Sequence, residues 1–335
     1  MEDSPILALT LGDPAGIGPE TIVKAFQDEV LSIKTKIIVI GDANLLKRTA
    51  KQVAPEILVH SVSSPKEGWY QPCTIDVIDL NNVSEELPQG KPSAEAGKAS
   101  YEAIQKAVEL TLKDEVSAIV TCPINKKSLH LAGHAFPGHT ELLGHLTNSK
   151  KPTLMMEGNS LRVVLVTTHL PLDQVKSQIT EEKVLQSIRV THDWLQKHVT
   201  EIPRIAVVGL NPHCGDGGIF GHEETEFILP ALKTAQKEGI QASGPHPADS
   251  LFARAASEKY DAVICMYHDQ GMIPVKMANK GTAVNVTIGL PIIRTSVDHG
   301  TAFDIAGKGC ASTESIELAI KSAANFTKPI SSHSR

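Results

Sequence analysis

Short, continuous apolar runs, spaced by longer amphipathic stretches, constrain this chain more than any other feature. PILALTL, KIIVIG, TIDVIDL, VSAIVTC, LRVVLVTT, RIAVVGL, DAVICMY and TAVNVTIG are rich in β-branched residues and bounded by glycine, proline or polar residues. Most are apolar throughout rather than alternating, as strands covered on both faces should be. Between them lie helical patterns: SAEAGKASYEAIQKAVELTLK from Ser93, TEEKVLQSIRVTHDWLQKHV from Thr180, and ESIELAIKSAANF near the end. Thr180 followed by Glu-Glu-Lys reads as a helix start. This alternation predicts an α/β fold with a largely parallel sheet flanked by helices.

The chain has 335 residues, enough for two domains or one large α/β unit. No repeat, low-complexity tract or obvious linker divides it, so a discontinuous second domain is expected. SSPKEGWYQP and NNVSEELPQGKPS read as surface connections. A net charge of −6 with 4% aromatic residues argues against a nucleic-acid surface, which needs a basic stripe or stacking platforms. No apolar run is long enough to span a membrane. The opening MEDSP is acidic where a signal peptide would be basic. Five cysteines without a Cys-x-x-Cys pair suit a reducing compartment, and the expected location is the cytoplasm.

Residues 9–20, LTLGDPAGIGPE, raise the question of a dinucleotide fingerprint. Gly-x-Gly-x-x-Gly fails in both registers: from Gly16 the third position is Thr21, and from Gly12 the second is Pro14. What remains is a flexible turn at Gly12, Gly16 and Gly18, with Pro19 and Glu20 suited to a first helical turn. A plain strand-to-helix turn stays an equal reading.

Three histidines follow three strand candidates. His169 comes after LRVVLVTT, His213 after RIAVVGL and His268 after DAVICMY. Ligands gather outside the carboxyl ends of parallel strands, and three imidazoles leave open positions on a divalent ion. The alternative is that each merely satisfies loop carbonyls. A second group suits an anion. Gly138, His139 and Thr140 open a helical segment whose free N–H groups attract phosphate, and Lys276, Asn285 and Arg294 follow in glycine-rich surroundings. Thr140 as a simple N-cap, with Lys276 and Arg294 as solvated charges, is the bland counterpart.

DHGTAFDIAGKG, Asp298 to Gly309, resembles the cofactor loop of the metal-dependent decarboxylating dehydrogenases, the isocitrate and isopropylmalate group, and GDPAGIGPE resembles that group's N-terminal loop. Across nearly the whole chain, GDPAGIGPE, TCPINK, GHTELL, THLPL, NPHCGDGGIFGHEE, GPHPADSLF, YHDQGMIPVK and GLPIIRTSVDHGTAFDIAGKG resemble the 4-hydroxythreonine-4-phosphate dehydrogenase family of vitamin B6 biosynthesis. The resemblance implies a two-domain isocitrate/isopropylmalate dehydrogenase-like fold with an active-site cleft between the domains. The expected outer domain is 1–128 plus 300–335, and the central domain is 129–299, carrying metal and phosphate ligands and the dimer interface.

The resemblance further implies His169, His213 and His268 as ligands of a divalent metal (zinc, cobalt or magnesium), with Asp249 and Asp269 supporting them. His139, Thr140, Lys276, Asn285 and Arg294 would bind substrate, and Lys276 would act as general base. Gly12, Asp13, Gly16, His299, Gly300, Thr301 and Asp304 would line the site of NAD, or of NADP. A homodimer is implied, with His268 of the partner subunit completing the site. The expected reaction oxidises a phosphorylated hydroxy amino acid at C3, followed by decarboxylation. Alternatives are a related dehydrogenase of D-threonate or D-erythronate 4-phosphate or of a dihydrodiol dicarboxylate, a three-histidine metallohydrolase of a phosphate ester, and a non-enzymatic sensor.

Overall fold

The structure, a computed structural model, describes residues 4–28, 35–158, 160–258, 260–279 and 283–330. Met1 to Asp3 of the acidic opening, and 331–335 of the expected outer domain, lie outside the described residues. The chain forms two compact units. One comprises Met1–Pro152 and Leu290–Thr327, the other Thr153–Gly289 with the C-terminal segment from Lys328.

In chain order the first unit begins with β1 (Ile6–Thr10), α1 (Gly18–Ala25), β2 (Lys36–Gly41), α2 (Ala43–Val53), β3 (Leu58–Val62) and β4 (Thr74–Asp79). It continues with α3 (Ala94–Leu112), β5 (Ala118–Thr121), α4 (Lys126–Leu131) and α5 (His139–Leu146). The second unit holds β6 (Thr153–Glu157), β7 (Arg162–Leu165), α6 (Leu172–Gln178), α7 (Glu181–His198), β8 (Ile205–Val208) and α8 (Leu229–Lys237). Then come β9 (Ala242–His246), α9 (Ala248–Glu258), β10 (Ala262–Cys265), α10 (His268–Ala278) and β11 (Val284–Ile288). The chain returns to the first unit with β12 (Arg294–Ser296) and α11 (Glu314–Phe326).

The first unit's strands pair in the order β3-β4-β2-β1-β5-β12, every pairing parallel. In the second unit, β7-β10-β8-β9 are parallel neighbours, and β6 joins β7 and β11 antiparallel. The apolar runs are buried as a two-sided cover requires. Leu7, Ala8 and Leu9 of β1, Ala118 to Val120 of β5, and Ala262 to Cys265 of β10 are almost wholly enclosed. Each enclosed leucine, isoleucine or valine contributes about 1.5–3 kcal/mol over its exposed state.

Helix starts follow side-chain chemistry. Asp42 accepts from Leu45 N, Ser93 from Ala96 N, Asn125 from Ser128 N and Thr180 from Lys183 N, each satisfying a donor the first turn leaves orphaned. The helices expected from Ser93 and Thr180 are therefore α3 and α7.

The division between units differs from the expected boundaries. Residues 129–152 and 290–299, expected in the central domain, fall in the first unit. The reason is packing: Leu142 and Leu143 of α5, and Ile292 before β12, are buried in one cluster with Ala8, Ile38, Ile104 and Ile119.

Candidate active site

In the second unit the strands preceding the three histidines are immediate neighbours. β7, β10 and β8 lie side by side, parallel and in register, with Leu165 opposite Cys265 and Val207 opposite Ile264. Their carboxyl ends therefore lie level, and His169, His213 and His268 all emerge from that edge. Parallel strands lie about 4.8 Å apart, so loops of a few residues can bring such side chains together.

His268 is the first residue of α10, and its ring stands 5.7 Å from that of His169, centroid to centroid. Its Nδ1 lies 2.7 Å from Oδ1 of Asp269. A carboxylate on one ring nitrogen fixes the tautomer and leaves Nε2 for a metal. The neighbouring loops are tied by polar side chains. Thr167 donates its amide and its hydroxyl to Met266 O, and Gln270 accepts from Met266 N while donating to Gly209 O.

His213 occupies a turn with unusual backbone. His213, Cys214 and Asp216 have φ of 51°, 56° and 43°, in a run that continues through Gly215 and Gly217. Non-glycine residues in this region cost on the order of 1 kcal/mol or more each. The surroundings hold the turn in place. Glu224, buried, accepts from the amides of Leu210 and Asn211, while Glu223 accepts from the Asn211 side chain and pairs with Lys176. Burial opposes ionisation of Glu223, yet the Lys176 and Asn211 hydrogen bonds prevail and bring its carboxyl down to about 2. Cys214 is a protonated structural thiol: burial, then the Glu224 charge, push it up. Asp249 is exposed in the first turn of α9 and adds to that upward push on Cys214.

Three imidazoles with a carboxylate behind one of them are donors of the right chemistry for a divalent ion. Among the described residues, no group of three or more His, Cys, Asp or Glu side chains is arranged to hold an ion. His169 and His268 are brought together, but His213 does not join them in such a group. Lys276 lies in the last turn of α10 and Asn285 on β11, both partly buried in this same unit.

The first unit carries three of the residues expected to meet an anion. His139 opens α5, with Gly138 at the N-cap and Thr140 beside it in the first turn. Arg294, the first residue of β12, is only 2% exposed. Burial pushes its guanidinium down to about 9. His139 is held well below its ordinary value of 6.5, by burial first and then by the Arg294 charge, so its ring is neutral at pH 7. Its Nε2 is enclosed and has no hydrogen-bond partner among the described residues. A buried, unsatisfied ring nitrogen beside a buried guanidinium suits an anion.

The glycine loop and the DHGTAFDIAGKG loop, from opposite ends of the chain, interlock here. Ile17 N donates to Thr301 O, and a Cβ on Gly16 would meet that same oxygen at 2.9 Å. Glu20 accepts from the amides of Gly309 and Ala311, while Lys24 donates to the carbonyls of the same two residues. Gly12 has φ +75°, and a Cβ there would come within 2.5 Å of Pro123 O. Asp13 is fully buried, its carboxylate engaged by Ala15 N and Ser128 Oγ. It braces the turn from inside. His299 and Thr301 are partly exposed, and Gly300 and Asp304 are exposed. A cavity of about 240 Å³ opens beside the interlocked loops, lined among others by Gly16, Glu20, Arg48, Gln52, Gln89 and Gly307. It mixes donors and acceptors and has room for one heterocycle, so these loops fit part of a dinucleotide.

In both units, then, candidate residues follow adjacent parallel strands: β1 and β12 on either side of β5, and β7, β10 and β8. Thr121, Thr167, Glu223, Glu224 and Gln270 were not among the candidates. Their role is to hold other groups, and only the acidic pair carried a hint, inside the GHEE motif.

Comparison with known proteins places the chain in a family. The sequence profile described as "Pyridoxal phosphate biosynthetic protein PdxA" matches residues 33–323. A 4-hydroxythreonine-4-phosphate dehydrogenase from Desulforapulum autotrophicum is 45% identical over 96% of each chain. A D-threonate 4-phosphate dehydrogenase from Cupriavidus necator is 44% identical, covering 96% of this chain and 97% of its own. The crystal structure of 4-hydroxythreonine-4-phosphate dehydrogenase from Klebsiella pneumoniae superposes with a TM-score of 0.94 at 40% identity, covering 98% of this chain and 99% of that one. Fold, site and relatives together define an α/β oxidoreductase. The chain belongs to the PdxA family, the pyridoxal phosphate biosynthetic proteins. No helix among the described residues is long and apolar enough to cross a membrane.

Proposed function

We propose that this chain oxidises 4-hydroxy-L-threonine 4-phosphate at C3, using NAD, to 2-amino-3-oxo-4-(phosphooxy)butanoate, which loses CO2 to give 3-amino-2-oxopropyl phosphate. The observation that carries the reading is the placement of His169, His213 and His268 at the level carboxyl ends of three neighbouring parallel strands. Support also comes from relatives of that name at similar length.

Arg294, neutral His139 and the Thr140 end of α5 take the phosphate, and Asn285 binds the remainder of the substrate. These contacts convert binding into orientation of C3. His169, His213 and His268 would hold the divalent ion (zinc, cobalt or magnesium), with Asp269 orienting His268. An ion held there would supply Lewis-acid polarisation of the C3 hydroxyl, which lowers the pKa of that group. Lys276 Nζ would take the hydroxyl proton, and a bound nicotinamide would supply the acceptor for the C3 hydride. The oxidised carbon becomes a carbonyl β to the carboxylate, which can accept the electron pair released with CO2. The interlocked loops with Gly16, His299, Gly300 and Thr301 present the cofactor, NAD or NADP.

The reading includes a homodimer, since no group of three His, Cys, Asp or Glu side chains among the described residues of one chain is arranged to hold an ion. Leu172, Ile219 and Met277 are each about three-quarters exposed, and they flank the histidine loops or share α10 with His268. Such apolar residues suit a buried interface. The compartment proposed is the cytoplasm.

A second reading, D-threonate 4-phosphate as substrate, is favoured by the Cupriavidus relative. It keeps the phosphate and the reacting hydroxyl and replaces the amine with a hydroxyl. NADH formation, measured with each compound with and without a chelator, tests both. A kcat/KM favouring the amino acid supports the first reading and the reverse supports the second. Activity undiminished by a chelator after metal removal would refute the histidine assignment.

A further inference from the structure

The buried guanidinium of Arg294 does not reach its position unaided. Arg294 opens β12 opposite Ile119 of β5, and Thr121 ends β5 two residues further along. Arg294 donates Nε to Thr121 Oγ1 at 3.2 Å and Nη2 to the same oxygen at 2.6 Å. Both bonds use one edge of the fork and converge on one acceptor. Thr121 is fully buried, as is Arg294. Its backbone is fixed twice over, by the β1 and β12 pairings, and Ser296 Oγ donates to its carbonyl. A β-branched side chain on such a strand has little rotational freedom, so the acceptor is rigid. The guanidinium is thereby drawn along the sheet to the carboxyl end of β5, where an anion would bind.

We propose that Thr121 is a positioning residue for phosphate-monoester recognition: its hydroxyl oxygen sets the plane and reach of the Arg294 fork. It touches neither substrate nor cofactor. The inference rests on the reading above that Arg294 binds the substrate phosphate. A guanidinium binds phosphate through paired, directional donors, so its plane decides how many of them align. Without the Thr121 oxygen, the charge would remain in the site but the Nε–Nη2 edge of the fork would lose the acceptor that anchors it.

The test compares Thr121→Val, which removes the oxygen at nearly constant volume, with Thr121→Ser, which keeps it. Steady-state kinetics with the phosphorylated substrate and calorimetric titration with inorganic phosphate give the readouts. Thr121→Val should raise both the substrate KM and the phosphate Kd about 10- to 100-fold. kcat and the KM for NAD should stay close to wild type, since lost ground-state binding leaves kcat alone. Thr121→Ser should restore affinity. In a double-mutant cycle, Thr121→Val should add less than about twofold to the defect of Arg294→Lys, because both changes disrupt one contact.

Wild-type KM and phosphate affinity in Thr121→Val, with Arg294→Lys impaired, would overturn the inference alone. Arg294→Lys binding phosphate as tightly as wild type would instead overturn the underlying assignment of Arg294. If the valine variant fails to fold, Thr121→Ala removes the same oxygen without an added methyl, and the same comparison decides.

Discussion

The rings of His169 and His268 stand 5.7 Å apart at an angle of 41°, one in the loop after β7 and the other opening α10 after the neighbouring strand β10. No third acidic, histidine or cysteine side chain among the described residues joins them in a metal-holding group. If each site takes His268 from a second copy of the chain, as the family resemblance implies, single substitutions should complement. His169→Ala and His268→Ala should each lose bound metal and reduce kcat by at least about 10²-fold. Mixed dimers of the two variants should regain part of the activity, because one site of a mixed pair can be intact. Metal content by elemental analysis and NADH formation on mixing check this. Asp269→Asn should weaken metal binding about 10- to 100-fold.

His139 sets a pH dependence of stability. Its pKa in the fold lies well below 6.5, through burial and then the Arg294 charge. As pH falls below about 6.5 the unfolded chain takes up the proton first, so stability declines with acid across the window down to the folded value. His139→Gln should remove that part of the slope. Thermal melts of both proteins between pH 7.5 and 5.5 measure it, and parallel slopes would refute the assignment.

Glu223 acts in the same sense as His139, but over a lower pH range. Its folded pKa of about 2 lies beneath the ordinary 4.5, so its stabilising effect is complete above about 4.5 and disappears as pH falls toward 2. Glu223→Gln should therefore be less stable than wild type at neutral pH, with the difference vanishing in acid. It should also loosen the Asn211–His213 turn and lower metal affinity at pH 7.

The four hydrogen bonds from Glu20 and Lys24 to Gly309 and Ala311 hold one cofactor-loop candidate against the other. Glu20→Gln leaves one of the two amides facing a donor, at a cost of about 1–3 kcal/mol. It should lower the melting temperature and raise the KM for NAD more than that for the phosphorylated substrate. Equal effects on both would mean that the clamp serves stability alone.

The helix starting after Thr180 was legible because an N-cap and an amphipathic stripe act within a few residues. The placement of His169, His213 and His268 after strands was legible for the same reason. Residues 129–152 were expected in the other domain, since nothing in Leu142 or Leu143 states which core will enclose them. That Asp13 braces its own turn was not legible, because Ser128 comes to meet it from α4, far along the chain. The left-handed run at His213 gave no advance sign beyond its glycines. Thr121 looked like any strand-ending threonine until β12 placed Arg294 beside it.

Local patterning, then, was enough to specify strands, helices, caps and the residues that end up at strand ends, because propensity and solvation are decided by near neighbours in the chain. The order of the strands, the pairing of loops from opposite termini, and the company kept by each histidine, arginine and carboxylate were decided by tertiary structure. Those outcomes depend on the summed burial of many distant segments, and no short window of residues contains that sum.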